Sequence, residues 1–511
     1  MAGVFYRLMY RCAGTRAGAR PGGNALAGRL TRPLQSCVII SLMSTTDTAK
    51  AQYDMMTKRP IPRLIITLAI PTILSMMVTT IYNLVDTAFV GTLGTSQSGA
   101  VGIVFGFMAI MQAFGFMFGQ GAGSLVARKL GARDKGAADI VASTGFAASF
   151  TCGILIAVLG FIFEDPLINM LGSTPTIAPH AKAYLNNIMF VAPFCTSSFT
   201  LNNLLRYEGK AKLGMIGLLT GGILNIGGDA LFIFGMGMGT AGAGLSTAIS
   251  QFIGFTILFY MFISGRTQAR LSFSFIRPLG GVLLEITEIG FPSLLRQGLG
   301  SFTTILVNFK AAKYAGDAGV SAMTIVTRIA FFLFAIALGI GQGFQPVCAF
   351  NYGAGKFRRQ RQAYRFTLIL SMVVLAVLTV FAMIFSGGLI RVFRDDPAVI
   401  EIGTRALRLQ CVSQLFMPIV MITEMLMQSS GKKIPATVLS SLRGGVILVP
   451  LLFILPLIRG LAGVQEAQPL AYILSVPPAI YMAKRFFAST PNEDLPAARK
   501  EEKSNGTGSG M

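Results

Sequence analysis

Long apolar stretches constrain this chain more than any other feature. About twelve runs of mostly apolar residues occur along its 511 residues, and roughly 20 such residues suffice for a helix to cross a bilayer. The spans predicted in the first half are 64–90, 99–123, 140–163, 183–205, 213–235 and 240–264. The spans predicted in the second half are 286–309, 320–346, 366–389, 407–428, 436–458 and 462–483. We therefore predict an all-α integral membrane protein with twelve transmembrane helices.

Charged residues are few and unevenly placed. They make up 13% of the chain, against 53% hydrophobic residues, which is too few to cover a soluble surface. The formal net charge is +22, and the joints after spans two, four, six, eight and ten carry 17 Lys and Arg residues, whereas the joints after spans one, three and five carry only Lys182. This distribution follows the positive-inside rule. It predicts a multi-pass protein of the cell inner (plasma) membrane with both termini in the cytoplasm, and it argues against nucleic-acid binding.

The two ends of the chain differ from its apolar middle. Residues 1–42 carry six arginines and neither lysine nor acid, which resembles an organellar transit peptide. The alternative, which we favour, is an upstream extension with the native start at Met43. The predicted organisation is a basic, disordered segment 1–59, an N-lobe 60–270, a C-lobe 271–485 and a disordered cytoplasmic tail 486–511.

The two halves of the chain repeat each other. At an offset of 222 residues, SGAVGIV at 98–104 aligns with VSAMTIV at 320–326, and the tripeptide Gly-Gln-Gly at 119–121 recurs at 341–343. The halves are thus predicted to be six-helix lobes of the same orientation, related by an axis along the membrane normal. Repeated halves around a central site are typical of secondary transporters.

Motifs for enzymatic chemistry are missing from the sequence. No G-x-x-x-x-G-K-[ST] motif occurs, the chain has a single histidine, His180, and its six cysteines include no C-x-x-C pair. These features argue against ATP hydrolysis, hydrolase chemistry and a Cys/His metal site. We expect a monomer without cofactors that is not an enzyme, with energy supplied by H+ and/or Na+ or by the gradient of the substrate itself.

Three acidic residues lie in the interior of the predicted spans, namely Asp86, Asp229 and Glu424, whereas Glu288 and Glu466 lie near the start of theirs. A carboxylate at the centre of a transmembrane helix costs about 2.5–3.5 kcal/mol on insertion scales, so such residues are functional by default. Asp86 follows Tyr82, and Asp229 follows Asn225, by four residues, which places each pair on one helical face. Each neighbour could also simply satisfy its aspartate. Both aspartates fall late in outward-running spans, where they could share a proton or bind Na+.

Several segments in fixed order carry a resemblance to a known family. They cover residues 60–485 and include PTILSMMVTTIYNLVDTAFVGTLG, SGAVGIV, RKLGA, GGILNIGGDALFI, RQGLG, QGFQPVCAFNYGAGK and AQPLAYIL. Together they resemble the MATE (multidrug and toxic compound extrusion) family, in particular its MepA-type branch close to the DinF group. This resemblance implies two six-helix lobes in a V shape around a central cavity. It also implies antiport of amphipathic cationic drugs or dyes against H+ or Na+ by alternating access.

The resemblance also implies a cation site in the N-lobe. The positions that match the family residues supply carboxylate, amide and hydroxyl oxygens, as a Na+ site needs: Asp86, Asn225, Asp229 and Thr247, with Tyr82 beside them. Glu424 and Gln297 are further candidates. The NorM-type branch has a glutamate in helix seven, where this chain reads FPSLLRQGLGSF with Arg296 and Gln297. A NorM-type C-lobe sodium site is therefore not expected.

Two other functional classes remain as alternatives. A lipid-linked oligosaccharide flippase of the same superfamily would line its cavity with Arg or Lys, and the candidates for such residues in and beside the spans are few: Arg296, Lys310, Lys313 and Arg328. A receptor or scaffold would need neither an internal repeat nor buried acids. An exporter of organic cations is therefore the favoured prediction.

Overall fold

The computed structural model describes residues 49–277 and 280–494, and nearly all of these are helical, with no strand. The predictions for residues 1–42 and for the tail after residue 494 lie outside the described residues. Residues 49–58 form a helix, although the sequence predicted disorder up to residue 59. An ion pair between Asp54 and Lys58, with 3.0 Å between carboxylate and ammonium, joins successive turns of this helix and helps to stabilise it.

The first half contains six long helices. They are α1 (Ile61–Gly91), α2 (Thr95–Gly131), α3 (Lys135–Ile162), α4 (Ala178–Tyr207), α5 (Ala211–Gly235) and α6 (Gly239–Ile263). The short helix Glu164–Met170 connects α3 to α4. α5 is α-helical up to Asp229 and continues as a wider π-helical turn over Ala230–Gly235.

The second half also contains six spans, several of which are bent. α7 (281–315) and α8 (317–353) are the two arms of the helix Gly281–Gly353, which meet at Gly316 with φ 55° and ψ −147°. The remaining spans are α9 (Phe357–Ile384), α10 (Pro397–Gln414 and Met417–Ser429), α11 (Lys433–Arg459) and α12 (Leu461–Leu474 and Val476–Ser489). A short helix, Ser386–Phe393, precedes α10.

The twelve predicted spans are confirmed. Within the described residues, nine helices are individually long and apolar enough to cross a membrane, and one of them is the Gly281–Gly353 helix that contains two spans. The two pieces of α10 form a further span bent by 46°. The bend follows from Pro418 near the start of the second piece, since proline lacks the N–H that a continuous helix needs. With α12, the described residues contain twelve spans.

Some boundaries differ from the prediction at the basic joints. α9 begins at Phe357, whereas the predicted span begins at 366, so the sequence FRRQRQAYR forms the first turns of the helix. Likewise α12 extends to Ser489, beyond the predicted start of the disordered tail at 486. Apolar runs mark only the part of a helix that lies in hydrocarbon, and Arg and Gln are good helix formers outside it.

The two halves contact each other closely at the ends of the helices that adjoin the basic joints. A Cβ added at Gly121 in α2 would lie 2.1 Å from the backbone oxygen of Ile286 in α7. A Cβ added at Gly353 in α8 would lie 2.0 Å from the backbone oxygen of Arg128 in α2. Only glycine permits such approach of one backbone to another. The halves are therefore sealed together at this end.

Candidate ion-coupling site and central cavity

Six side chains from four helices meet inside the first half, and we call them the coupling cluster. They are Asp86 on α1, Tyr184 on α4, Asn225 and Asp229 on α5, and Ser246 and Thr247 on α6. Each is at most 3% exposed. The structure thus brings together four of the residues selected from the sequence, across up to 161 positions of chain between Asp86 and Thr247.

Polar contacts join the members of the cluster. The Asn225 side-chain amide donates to Thr247 Oγ1 at 3.1 Å and to Asp229 Oδ1 at 3.4 Å. The carboxyl groups of Asp86 and Asp229 lie within hydrogen-bonding reach of each other. Two carboxylates in contact repel strongly in a low-dielectric interior unless a proton or a cation lies between them.

Two members of the cluster were missed by the sequence analysis. The Tyr184 hydroxyl donates to Asp86 Oδ2 at 3.2 Å and lies 3.2 Å from Thr247 Oγ1. Ser246 Oγ donates to the backbone oxygen of Asn225 at 2.9 Å. The position of Ser246 beside Thr247 in GLSTAIS gave a weak signal for it. Tyr184 gave none, since only the packing of α4 against α1 and α6 brings its hydroxyl to Asp86.

Three buried oxygens of the cluster have no hydrogen-bond partner. They are Asp86 Oδ1, Asn225 Oδ1 and Asp229 Oδ2. Buried acceptors are almost always satisfied, and an unsatisfied one typically costs about 1–3 kcal/mol. Oxygen ligands of this kind are those that hard cations prefer, so the three acceptors suit a proton or a small cation.

A small crevice adjoins the cluster. It has a volume of about 20 Å³, and Tyr82, Asn225 and Thr247 are among its lining residues. A volume of about 10–15 Å³ already holds one water molecule, so the crevice has room for one water beside Asn225 and Thr247. Tyr82 lies on the wall of this crevice, together with Asn225 and Thr247 of the cluster.

The donor set limits which ions the cluster suits. Within residues 49–277 and 280–494, no group of three or more His, Cys, Asp or Glu residues is placed to hold a metal ion. The cluster has two carboxyl groups and neutral oxygens. Such a set balances one or two positive charges and suits H+ or Na+ better than a transition metal, which favours nitrogen and sulfur ligands.

Glu424, the third acidic residue selected from the sequence, pairs with Arg296 and with no member of the coupling cluster. Arg296 Nη1 lies 2.6 Å from Glu424 Oε1, and both side chains are at most 2% exposed. Arg296 Nη2 also donates to Gln120 Oε1, at 3.2 Å. Gln120 is on α2, so this network links the first half to α7 and α10 of the second half.

A cavity of about 320 Å³, which we call the central cavity, is lined by 23 residues of the second half and four of the first. We define it by its 27 lining residues, which come from α1 and α2 and from α7, α8, α10, α11 and α12. Gln297, a candidate from the sequence, is one of them. The charged lining residues are Arg296 and Arg443, with no aspartate or glutamate among the 27. Its volume is typical of sites for drug-sized molecules.

Arg443 is a cavity residue that the sequence analysis missed. It is 8% exposed, and its guanidinium lies 5.5 Å from the ring centroids of both Phe334 and Tyr472. No carboxylate of the described residues lies within 4.0 Å of it, and its Nη1 has no hydrogen-bond partner. Because Arg443 lies inside the predicted span 436–458, a complete count of basic residues in the spans would have found it.

Arg206 also corrects the sequence analysis, which placed it in a basic joint. It is the penultimate residue of α4 and only 3% exposed. It lines a crevice of about 30 Å³ together with Gln342. Three residues of this crevice (Met76, Gln112 and Phe116) also line the central cavity. The surroundings of the cavity are therefore more basic than the sequence suggested.

Comparison with known proteins adds independent evidence. The MatE family profile matches the chain twice, over residues 71–231 and 292–454. A relative named "Multidrug export protein MepA" from Staphylococcus saprophyticus is 28% identical over 403 residues, which cover 78% of this chain and 87% of the relative.

Solved structures agree with the sequence matches. A structure described as the outward-facing conformation of a multidrug resistance MATE family transporter of the MOP superfamily is 26% identical and superposes with a TM-score of 0.81, covering 85% of this chain and 98% of its own. A MOP superfamily transporter from Pyrococcus furiosus, whose description reports a binding pocket of reversed polarity, is 25% identical with a TM-score of 0.81 and covers 86% and 98%. The two profile matches, one in each half, together with these likenesses show that the chain is a multi-pass membrane protein of the MATE family of transporters.

Proposed function

We propose that this protein is a secondary exporter that moves drug-sized amphiphiles out of the cell in exchange for H+ or Na+ bound at the coupling cluster. Membership of a family with multidrug export proteins supports the export of drugs. The observation that carries the ion coupling is the contact of Asp86 with Asp229, beside three buried oxygens without partners.

The cluster can couple an ion to a change of helix packing. With a proton or Na+ between them, Asp86 on α1 and Asp229 on α5 attract the same charge and hold the two helices together. Without it, the two carboxylates repel, and the packing of α1 against α5 is destabilised. A ligand that binds one arrangement better than the other shifts the equilibrium towards it. Ion release would thus favour the alternative arrangement of the half.

The predicted orientation completes this proposal. With the basic joints in the cytoplasm, the end at which the halves are sealed together is the cytoplasmic end, and the coupling cluster lies in the outer half of the membrane. Ions would then load from outside. The plasma membrane as location, cytoplasmic termini and a monomeric state belong to the same proposal.

The charge of the cargo is a separate question from the coupling. The sequence favoured amphipathic cations because of Asp86 and Asp229, but neither residue lines the central cavity. The flippase alternative requires basic residues in the cavity, and Arg296 and Arg443 meet that requirement. However, a cavity of about 320 Å³ fits a drug-sized ligand and is small for a lipid-linked oligosaccharide.

The test is transport by the purified full-length protein in liposomes under a proton gradient alone or a sodium gradient alone. Ethidium serves as the cationic cargo and carboxyfluorescein as the anionic one. We expect one of the gradients to drive transport by the wild type, and Asp86→Asn to abolish gradient-driven transport, because it keeps the shape of the side chain and removes its charge.

The matched control is Asp317→Asn, which changes an exposed aspartate beside the kink at Gly316. This variant should transport like the wild type. Gradient-driven transport by a folded Asp86→Asn protein at the wild-type rate would refute the coupling role. Transport of neither dye under either gradient by the folded wild type would refute the export proposal.

A further inference from the structure

We propose that the central cavity binds amphipathic organic anions, with the carboxylate, sulfonate or phosphate group of the ligand at Arg443. This inference rests on the proposed export function and names the class of its cargo. It departs from the cationic cargo that the sequence favoured.

The charge of the cavity wall is the first argument. Both charged lining residues are arginines, and all acidic residues of the described chain lie elsewhere. Arg296 is neutralised by Glu424, at 2.6 Å, whereas Arg443 has no carboxylate within 4.0 Å among the described residues. An organic cation entering this cavity would meet an unpaired positive charge, and an organic anion would neutralise it.

The environment of Arg443 is the second argument. A charged side chain in a membrane protein is costly unless it is paired, and Arg443 is 8% exposed with a buried Nη1 that lacks a hydrogen-bond partner. The rings of Phe334 and Tyr472 lie over its guanidinium and supply a cation–π attraction. They leave hydrogen-bond donors without acceptors. A guanidinium with free N–H groups suits a bidentate contact with a carboxylate or phosphate.

The backbone near Arg443 is the third argument. Arg443 belongs to a π-helical turn, Leu442–Val446, in the middle of α11. π-turns inside helices occur frequently at functional sites. Here the turn includes Gly444 and Gly445, and Gly444 itself lines the cavity. The lack of side chains at these two positions lets Leu299 pack against the turn that carries Arg443, 3.2 Å from a Cβ added at either glycine.

The rest of the wall suits the body of an amphiphile. Aromatic and apolar side chains form much of it, including Phe116, Phe331, Phe334, Leu448 and Tyr472. Five glutamines add neutral amide donors, namely Gln112, Gln297, Gln410, Gln414 and Gln468. The ligand class that follows is an apolar or aromatic body of drug size with a single anionic group.

The test uses the absence of tryptophan from the chain. Phe331→Trp places one tryptophan on the cavity wall, and energy transfer from it to a dansyl group reports binding at this site. Two probes share the same dansyl body: dansylglycine carries a carboxylate, and a dansyl amide of aminoethyl-trimethylammonium carries a positive charge. Binding is measured with the full-length protein in neutral detergent, without an ion gradient.

We expect the Phe331→Trp protein to bind dansylglycine more tightly than the cationic probe. Arg443→Gln in the same background should weaken dansylglycine about 10- to 100-fold, the range of a charge-assisted hydrogen bond, and should leave the cationic probe unchanged or bound more tightly. Arg443→Lys should retain part of the affinity, because it keeps the charge and loses the planar fork.

Lys310→Gln is the matched control. Lys310 is also a buried basic residue (9% exposed) with a ring contact, 4.1 Å from the centroid of Phe453, but it does not line the cavity. This variant should bind both probes like the parent. Tighter binding of the cationic probe to the parent protein, or equal weakening of both probes by Arg443→Gln, would overturn the proposal. The preference of the Phe331→Trp protein for one probe over the other is measured without any Arg443 variant. It therefore tests the charge of the ligand even if Arg443→Gln does not fold.

Two further measurements complete the test. Displacement experiments distinguish a lipid from a free organic acid as the source of the anion, and an Asp86 variant distinguishes anion binding from ion coupling. Displacement of dansylglycine by phosphatidylglycerol, and not by phosphatidylcholine, would assign the site to an anionic lipid, and displacement by soluble naphthalene sulfonate alone would assign it to a free organic acid. Equal displacement by phosphatidylcholine would overturn the role of charge. Asp86→Asn should still bind dansylglycine more tightly than the cationic probe, because this preference depends on Arg443, so a failure of ion coupling and a failure of anion binding are seen separately.

Discussion

The coupling cluster and the central cavity carry opposite charges on helices that the internal repeat relates. In α5, the pair Gly227-Gly228 lies between Asn225 and Asp229; in α11, the pair Gly444-Gly445 follows Arg443 and precedes Val446. Both glycine pairs adjoin or lie within a π-turn. The same helical element thus presents an acidic side chain inside the first half and a basic one at the interface.

This difference indicates that the two halves bind different kinds of ligand. The first half holds buried oxygens without partners, which suits a small cation. The second half holds a buried ion pair, Arg296–Glu424, and an arginine without a carboxylate partner on a cavity of drug size. The repeated fold therefore places related helices in both halves, while charged residues at different positions of these helices decide the charge of what each half can bind.

The largest effect is expected from breaking the ion pair of the second half. Glu424→Gln leaves Arg296 buried without its carboxylate, which should destabilise the protein by about 3–5 kcal/mol. The measurement is unfolding of the purified protein in a series of detergent mixtures. This result would assign Glu424 to the architecture of the second half rather than to ion coupling.

The double variant Arg296→Met with Glu424→Met provides the control. It removes both charges and keeps the volume, so most of the lost stability should return. If Glu424→Gln were as stable as the wild type but lost its response to the ion gradient, Glu424 would belong with the coupling residues, and the contrast between the halves would not hold.

The next effect is expected in the coupling cluster. Asp229→Asn should lower gradient-driven transport about tenfold, or about 1.4 kcal/mol, and less severely than Asp86→Asn. The remaining Asp86 keeps its contact with Tyr184 and can still bind a proton. Initial rates in liposomes under a single ion gradient measure this effect. If the variant had the transport rate and the ion dependence of the wild type, Asp229 would have no role in ion coupling.

A smaller effect is expected from Tyr184→Phe. It deletes one hydrogen bond to Asp86, worth about 0.5–1.5 kcal/mol, so the ion concentration at half-maximal transport should change about two- to tenfold. Tyr314→Phe is the matched control, because its hydroxyl makes no hydrogen bond among the described residues. If both variants had the same ion concentration at half-maximal transport, the Tyr184 hydroxyl would have no role in ion binding.

The smallest effect distinguishes the two glycines before Asp229. A Cβ added at Gly228 would lie 2.5 Å from Ser246 Oγ, whereas one added at Gly227 would meet nothing within 4 Å. Gly228→Ala should therefore displace Ser246 and reduce the ion affinity by about twofold, a fraction of one hydrogen bond. Gly227→Ala should leave transport unchanged and stabilise α5 slightly. Thermal unfolding measures the stability of the two variants, and liposome transport measures their ion affinity. A larger loss of ion affinity in Gly227→Ala than in Gly228→Ala would contradict the geometry of the cluster.

Much of the architecture could be predicted from the sequence. The twelve spans and the selection of Asp86, Asn225 and Asp229 follow from patterns within single helices, and the repeat follows from comparing the two halves, whereas Thr247 was selected only through the resemblance to the MATE family. Hydrophobic length determines where a helix can cross a membrane, and an acid inside such a run is rare enough to mark a site. These signals are local, so they can be read without knowing which helices touch.

The tertiary structure decided what these local signals could not. Tyr184 and Ser246 joined the cluster, Glu424 paired with Arg296, and Arg443 lined the cavity, because helices distant in sequence pack side by side. The charge of a cavity is the sum over side chains from many helices, and each of them also has faces towards lipid or towards its neighbours. A count of basic residues along the chain cannot say which of them share one space, and only the packing of the helices determines that.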